Sequence, residues 1–129
     1  MAKRILVVED NDLNRKLFCD VLRANGFEVE PVADGELALN TARAFDPDLA
    51  IMDIQLPNIS GLDLIAEMSR DSQLSSVPVL AVTAYAGKGD EERIRAAGAA
   101  SYLAKPVSIG PFMAAVRNLV EDVAAQPVA

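Results

Sequence analysis

The chain has 129 residues, a length at which one hydrophobic core is stable and two are not, so we expect a single domain. Hydrophobic residues make up 51% and charged residues 24%, a balance that excludes a disordered chain or a membrane protein. The formal net charge of −7 repels nucleic-acid phosphates and anionic membrane surfaces, which excludes both as expected partners.

Short apolar runs rich in β-branched residues recur along the chain and predict strands. In chain order they span residues 5–8, 27–32, 49–52, 79–82 and 101–103, the second and fifth being the weaker ones. Because the runs lack the polar alternation of a half-exposed strand, they are typical of a parallel sheet that is covered on both faces.

Stretches with helical spacing follow the strands. Stop signals at Asn25-Gly26 and Asp46-Pro47 end the first two, and Ser108 caps the last. The segment 87–98 has little apolar surface beyond Ile94 and predicts a loosely held fourth helix. The other apolar stripes are Leu13, Leu17, Val21 and Leu22 with Phe18 beside them; Leu37, Ala38, Thr41, Ala42 and Phe45; Leu62, Ile65 and Met68; and Phe112, Val116, Leu119 and Val123.

This alternation predicts an α/β fold, a three-layer α/β/α sandwich of the flavodoxin-like (βα)5 type with a parallel five-stranded sheet in the order 2-1-3-4-5. We expect the domain to span residues 1–124 and the tail 125–129 to fray. Ligands of such sheets bind beyond the carboxyl ends of the strands, where the strand order reverses.

Polar side chains stand at the carboxyl ends of four predicted strands. Glu9-Asp10 follow the first strand, Asp53 ends the third, Thr83 ends the fourth and Lys105 follows the fifth. These four strands are neighbours in the expected order, so the side chains should converge on one rim. Each residue alone is more often structural than functional, and only their conjunction predicts a site.

The donor set favours a hard divalent cation. The sequence has no histidine and a single cysteine, Cys19, which we expect to be a helix-packing or surface residue, so any metal must be held by oxygen. Three carboxylates in one small space need a compensating cation, and the magnesium type keeps waters and leaves room for a phosphate oxygen. An aspartate beside such a metal can attack phosphorus and form an acyl phosphate.

Other classes of function are less favoured. A flavin or nucleotide binder would use glycine and backbone N–H groups where the turn 9–12 is acidic. A hydrolase of the haloacid type needs a second acid where this chain has Gln55. No apolar run approaches the ~20 residues that cross a bilayer, and the amino terminus has no cleavage site, so we expect a cytoplasmic protein.

Four segments together resemble the response-regulator receiver family of two-component signalling. They are residues 5–11 (ILVVEDN), 52–57 (MDIQLP) with Ser60-Gly61, 82–84 (VTA) and 102–106 (YLAKP), and the resemblance covers residues 3–123. Residues 9–18 and 88–95 are further similar to single-domain cell-cycle and cell-division regulators within that family. One departure is Glu9, where the commonest pattern has aspartate, which bears on metal affinity.

The resemblance implies a role for each residue of the site. Asp53 would be the phosphoacceptor, with Thr83 and Lys105 as its hydroxyl and cationic partners. Glu9 and Asp10 would bind Mg²⁺ or Mn²⁺ together with Asp53 and the backbone carbonyl of Gln55. The switch residues would be Thr83, Tyr102 and Pro106, the last after a cis peptide bond, and Gln55 and Tyr85 would tune the lifetime of the acyl phosphate.

The resemblance also implies partners. A histidine kinase or histidine phosphotransfer protein would donate the phosphoryl group near Asn14 and Phe18 of the first helix. Movement of Thr83 would shift the loop 84–89, turn Tyr102 and repack the fourth helix. A downstream protein would then bind the face formed by the fourth helix, fifth strand and fifth helix. The chain would be a monomer or a weak phosphorylation-linked dimer that catalyses only its own phosphorylation and dephosphorylation; a phosphorylation-independent adaptor is the alternative.

Overall fold

Strands and helices alternate along the chain as the sequence predicts. The structure is a computed structural model that describes residues 2–84 and 88–125. Tyr85, the side chain of Val123 and residues 126–129 of the expected tail lie outside the described part. The elements are β1 (Arg4–Val8), α1 (Asp12–Ala24), β2 (Glu28–Val32), a 3₁₀ turn (Gly35–Leu37), α2 (Ala38–Phe45), β3 (Leu49–Asp53), α3 (Gly61–Arg70), β4 (Val79–Thr83), α4 (Lys88–Ala97), β5 (Ser101–Ala104) and α5 (Ile109–Ala125).

The strands form one parallel sheet in the order β2-β1-β3-β4-β5, which confirms the predicted fold class and topology. Every residue of β3 and β4 is buried, as expected for strands covered on both faces. The edge strands are more exposed, and β5 has no fully buried residue within its four. Edge strands have one neighbour each, which explains why their apolar runs were the weaker ones.

The sheet separates two hydrophobic clusters. One cluster contains the side chains of α2, α3 and α4 that pack on one face. The other contains the buried faces of α1 and α5 on the opposite face. Alternate strand residues enter alternate clusters, with Leu6 and Val8 in the first and Ile5 and Val7 in the second. Both layers therefore fix the strands whose ends carry the site.

The predicted buried stripe of α1 is wrong in its first half. Leu13 is 79% exposed and Leu17 is 40% exposed. Phe18, Cys19 and Leu22 are the buried residues of this helix, so Cys19 is a packing residue. The apolar residues of α1 cover an arc wider than the sheet can bury, and local spacing does not tell which half of the arc is covered.

Smaller differences occur in the other helices. Leu37 is 57% exposed because it belongs to the 3₁₀ turn that precedes α2. In α5 the buried stripe includes Met113 and Val120 beside Phe112 and Val116, whereas Leu119 is only half-buried. The Phe112 ring stacks on Phe18 with ring centroids 4.9 Å apart, which joins α5 to α1. None of the described helices has the length and apolarity to span a membrane.

Candidate functional site

The acidic residues predicted to converge do so at the carboxyl ends of β1 and β3. Glu9 and Asp53 are 1% and 2% exposed, and Asp10 is exposed at the rim. One carboxylate oxygen from each of the three lies within 4.8 Å of the others. Two buried acids and a third at the opening make a strongly negative cleft.

Lys105 extends into this cleft from the segment that follows β5. Its Nζ lies 3.2 Å from Oε1 of Glu9 and 3.1 Å from Oδ2 of Asp53. The backbone N–H of Lys105 donates to the carbonyl of Thr83 over 2.7 Å, which ties the segment to the end of β4. The Lys105–Pro106 peptide bond is cis, as the resemblance implied. The lysine therefore bridges both buried acids.

The single ammonium does not neutralise the cleft. Burial, followed by the hydrogen bond and charge of Asp53, raises the pKa of Glu9 from 4.5 to about 7. Burial opposes ionisation of Lys105, but Asp53 and Glu9 outweigh it and raise the pKa of the lysine. A further cation would remove the repulsion between the carboxylates.

The residues present fit a hard divalent metal ion. Oε2 of Glu9 accepts a hydrogen bond from the N–H of Asn11 over 3.1 Å. Oε1 is buried and accepts no well-directed hydrogen bond from any described residue, although the Lys105 ammonium lies beside it. The cleft thus offers a buried carboxylate oxygen of Glu9 with spare acceptor capacity and two further acids, Asp10 and Asp53, beside it. Carboxylate oxygens are the ligands that Mg²⁺ prefers. The longer arm of Glu9 does not remove it from the cluster.

Gln55, which the resemblance implied as a ligand and as a residue that tunes the acyl phosphate, forms side-chain hydrogen bonds that the sequence did not indicate. Its backbone N–H donates to Oδ1 of Asp53 over 3.0 Å. Its Nε2 donates to Oγ1 of Thr83, and its Oε1 accepts from the N–H of Ala84, each over 3.0 Å. No sequence pattern indicates such a bridge, because it depends on the distance between the ends of β3 and β4.

Arg15 is a residue that sequence reasoning missed. Its guanidinium donates to the carbonyl of Glu9 over 2.9 Å and to that of Asp10 over 3.3 Å, and it forms an ion pair with Asp12. The first turn of α1 thereby fixes the backbone from which the two acids project. A cation one turn into a helix is common, and nothing in its spacing indicated this contact.

The close packing at Gly61 explains why a glycine follows Ser60 in the segment that resembles the receiver family. The N–H of Gly61 donates to the carbonyl of Ile54 over 3.0 Å, and Ser60 caps α3. A Cβ at this position would lie 2.2 Å from the carbonyl oxygen of Asp53 and 2.7 Å from the Cα of Ile54. The start of α3 therefore packs directly against the backbone of the candidate phosphoacceptor.

Tyr102 lies on β5, on the α4 side of the sheet, and among the described residues it contacts α4 and not the acidic cleft. The Arg95 guanidinium lies over its ring, 5.6 Å from the centroid. A hydrogen bond to Glu91 raises the pKa of the phenol. Two side chains of α4 thus hold the ring in this structure.

Thr83 is 1% exposed, and its hydroxyl accepts the hydrogen bond from Gln55.

A surface cavity of about 420 Å³ opens on the α1 side of Lys105. Its lining includes Asn14, Leu17 and Phe18 from α1, and Pro106 and Val107 after the cis bond. The exposed Leu13 lies on the same helix. Apolar side chains are therefore exposed directly beside the charged cleft.

Known proteins are similar to this chain in sequence and in architecture. The sequence profile of the response regulator receiver domain matches residues 5–117. The polar-differentiation response regulator DivK of Brucella ovis is 46% identical over 122 residues, which cover 95% of this chain and 99% of that protein. The chemotaxis protein CheY4 of Vibrio cholerae superposes with a TM-score of 0.88 at 26% identity, over 92% of this chain and 99% of that chain.

A further solved structure bears on the cleft. It is the receiver domain of the sensor histidine kinase PA1611 from Pseudomonas aeruginosa, with a magnesium ion coordinated in its active-site cleft. It is 33% identical, has a TM-score of 0.85, and covers 94% of this chain and 99% of its own.

Proposed function

The chain belongs to the response regulator receiver family, and from this premise we propose that it is a signalling protein switched by phosphorylation of Asp53. The observation that carries the proposal is the environment of that carboxylate. Oδ2 contacts the Lys105 ammonium over 3.1 Å, Oδ1 accepts from the N–H of Gln55 over 3.0 Å, and two further acids lie beside it. Such a carboxylate is fixed, desolvated and next to positive charge.

The proposed reaction is transfer of a phosphoryl group from a phosphohistidine or a small acyl phosphate. A carboxylate oxygen of Asp53 forms a bond to phosphorus while the bond from phosphorus to the imidazole nitrogen, or to the acyl oxygen, breaks. The electron pair of the broken bond stays with the leaving group. A carboxylate leaves as its anion, whereas the imidazole nitrogen takes up a proton from the solvent. The protein contributes position and charge neutralisation, with no separate substrate turned over.

Glu9, Asp10 and Asp53 would hold the divalent ion, with the backbone carbonyl of Gln55 as a further ligand. Mg²⁺ is the proposed ion, or Mn²⁺ in its place, and its charge would offset the roughly −1.5 to −2 of the phosphoryl group. Lys105 would pair with a phosphoryl oxygen, since its ammonium already contacts Asp53. Thr83 would supply a hydroxyl from the adjacent strand.

The phosphoryl donor would be a histidine kinase or a histidine phosphotransfer protein that docks beside α1. The cavity lined by Asn14, Leu17 and Phe18 lies next to Lys105, and Leu13 is exposed on the same helix. A donor helix with an apolar stripe would bury the exposed Leu13 and Leu17 and bring its histidine over Asp53. Because such donors draw their phosphoryl group from ATP, the proposed compartment is the cytoplasm.

The signal would leave through a protein partner that binds the face of α4, β5 and α5. This face presents the exposed charges of Arg93 and Arg95 on α4 beside the half-buried strand β5. Similarity to DivK supports a role in the cell cycle. Phosphorylation would change the contacts of Thr83 and thereby the seating of α4 and Tyr102, while the chain stays a monomer or a weak dimer.

The test is magnesium-dependent labelling by acetyl phosphate, read as the mass of one added phosphoryl group on the intact chain. Labelling should require Mg²⁺ and be lost in Asp53→Asn. The matched control Asp63→Asn changes an exposed carboxylate on α3 and should label normally. A wild-type chain that takes up no phosphoryl group, from acetyl phosphate or from kinases, would contradict the proposal and favour a phosphorylation-independent adaptor.

A further inference from the structure

Gln55 forms hydrogen bonds both to Asp53 and to the end of β4. Among the described residues Lys105 does so as well, but it contacts β4 through its backbone N–H, whereas Gln55 does so through its side chain. The backbone N–H of Gln55 holds Oδ1 of Asp53, and the side-chain amide holds the hydroxyl of Thr83 and the N–H of Ala84. All three bonds are 3.0 Å long. A change on Asp53 can therefore reach β4 through Gln55, whose contact with β4 is made by a side chain that can rotate away.

We propose, resting on the function proposed above, that the Gln55 amide competes with a phosphoryl group on Asp53 for the N–H of Ala84. Gln55 would be a positioning residue that holds the end of β4 in the unphosphorylated arrangement and must release it when Asp53 is modified. Its side chain thus opposes phosphorylation instead of assisting it.

The position of Ala84 makes this competition direct. Asp53 pairs with Val82 in the register of β3 and β4, and the N–H of Ile54 donates to the carbonyl of Val82 over 3.0 Å. Ala84 follows Val82 by two residues and so lies beyond the carboxyl end of β3, on the side toward which Asp53 projects. A phosphoryl group on Asp53 enters this space with oxygens that accept hydrogen bonds strongly.

The two contacts of the amide are not equivalent. The hydroxyl of Thr83 is only the acceptor in its bond with Gln55, so that bond does not use the proton of the hydroxyl. The N–H of Ala84 has one proton, and Oε1 of Gln55 holds it. The N–H of Ala84 is therefore the donor for which the two groups compete. A phosphoryl oxygen can accept from it only when its hydrogen bond to Oε1 of Gln55 breaks.

A cavity beside Gln55 can accommodate its side chain after the hydrogen bond to Ala84 breaks. This cavity of about 240 Å³ lies between β3, β4 and α4, and both Gln55 and Thr83 line it. Its lining also includes Ser60, Asp90 and Arg93, which offer hydrogen-bond partners for an amide that has turned away from Ala84. Because α4 forms one wall, this movement would change contacts of the helix that the proposed output face contains.

The experiment compares Gln55→Met, Gln55→Glu and a matched control, Gln73→Met. Methionine keeps the unbranched length of glutamine but offers no strong donor or acceptor. Gln73 also donates a side-chain hydrogen bond, to the carbonyl of Arg43 over 2.8 Å, but it belongs to the α3–β4 connection, outside the site. The readouts are hydrogen exchange of the Ala84 amide in the unmodified chain and the dissociation constant of beryllofluoride, a phosphoryl mimic, at fixed Mg²⁺.

We expect Ala84 to exchange faster in Gln55→Met and beryllofluoride to bind about fivefold more tightly, the size of one net hydrogen bond. Gln55→Glu keeps an acceptor for Ala84 and adds negative charge, so beryllofluoride should bind more weakly than to the wild type. Gln73→Met should change neither readout. A purely structural role for Gln55 would loosen the site and weaken binding in both Gln55 variants.

The outcomes separate this inference from the proposed function. If the wild type binds beryllofluoride and Gln55→Met binds it equally or more weakly, the competition is refuted and the phosphoacceptor role stands. If neither the wild type nor Gln73→Met binds it, or if Asp53→Asn binds it as well as the wild type, the proposed function fails and the competition fails with it.

Discussion

Replacement of Glu9 by glutamine should stabilise the metal-free protein, although Glu9 is one of the residues proposed to bind the metal. Glu9 is 1% exposed, shares its cleft with Asp53 and Asp10, and has one ammonium, that of Lys105, beside Oε1. Burial and Asp53 make its charged form unfavourable in the folded state. Glutamine keeps the shape of the side chain and removes that charge.

The size of the effect follows from the pKa. Folding raises the pKa of Glu9 from 4.5 to about 7. At about 1.4 kcal/mol per unit, this corresponds to about 3 kcal/mol. Between these two values the folded state holds a proton that the unfolded state has lost, so the free energy of unfolding falls as the pH rises through this range. Above about pH 7 the full cost is present.

The assay is urea denaturation followed by circular dichroism, with a chelator present, at about pH 5.5 and about pH 8. Because about one unit of the range between the two pKa values lies below about pH 5.5, the wild type should lose about 2 kcal/mol between the two pH values through Glu9, and Glu9→Gln should lose about 2 kcal/mol less. The absence of histidine removes the side chain that most often titrates in this window. Glu67→Gln, which changes an exposed acid on α3, should retain the wild-type slope.

Mg²⁺ should restore the stability of the wild type at the higher pH and have less effect on Glu9→Gln. A wild type that is equally stable at both pH values without metal, or a variant with the same slope as the wild type, would refute the reasoning.

Two other substitutions test the packing around the cleft by urea denaturation. Lys105→Met removes the ammonium from two buried carboxylates and should lower the free energy of unfolding by about 3 kcal/mol without metal. Mg²⁺ should restore part of this loss. An unchanged urea midpoint in the presence of the chelator would contradict the prediction. Gly61→Ala brings a Cβ to 2.2 Å from the carbonyl oxygen of Asp53 and should cost about 3 kcal/mol. Its control is Gly110→Ala on α5, where the new Cβ would have nothing within 4 Å, so this substitution should be neutral or stabilising. Equal urea midpoints for the two glycine variants would show that the close contact at Gly61 relaxes without cost.

The strands and the convergence of the acids could be predicted from sequence because both depend on local pattern. Buried parallel strands are continuous apolar runs, and the runs that became β3 and β4 are buried at every position. Once the strand order was assumed, the residues that end neighbouring strands had to meet. Glu9 and Asp53 therefore lie together, as expected, with Asp10 beside them.

Features that depend on side-chain direction across elements could not be predicted. The buried half of the apolar arc on α1 is selected by how the helix sits on the sheet, so Leu13 lies in solvent while Cys19 is buried. The Gln55 bridge needs the distance between the ends of two strands and one rotamer of an amide. Arg15 reaches the backbone of the acidic turn for a similar reason, since helical spacing places its Cα but not its guanidinium.

The two hydrophobic clusters that the sheet separates have a consequence for how such a protein diversifies. The proposed donor surface belongs to the layer of α1, whereas the Gln55 cavity and α4 belong to the opposite layer. Within the described residues the two clusters lie on opposite faces of the strands, so substitutions that reshape one layer leave the packing of the other nearly unchanged. Changes on α1 can therefore alter the proposed donor surface while the α4 part of the proposed output face keeps its packing, whereas α5 shares the layer of α1 and would vary with it.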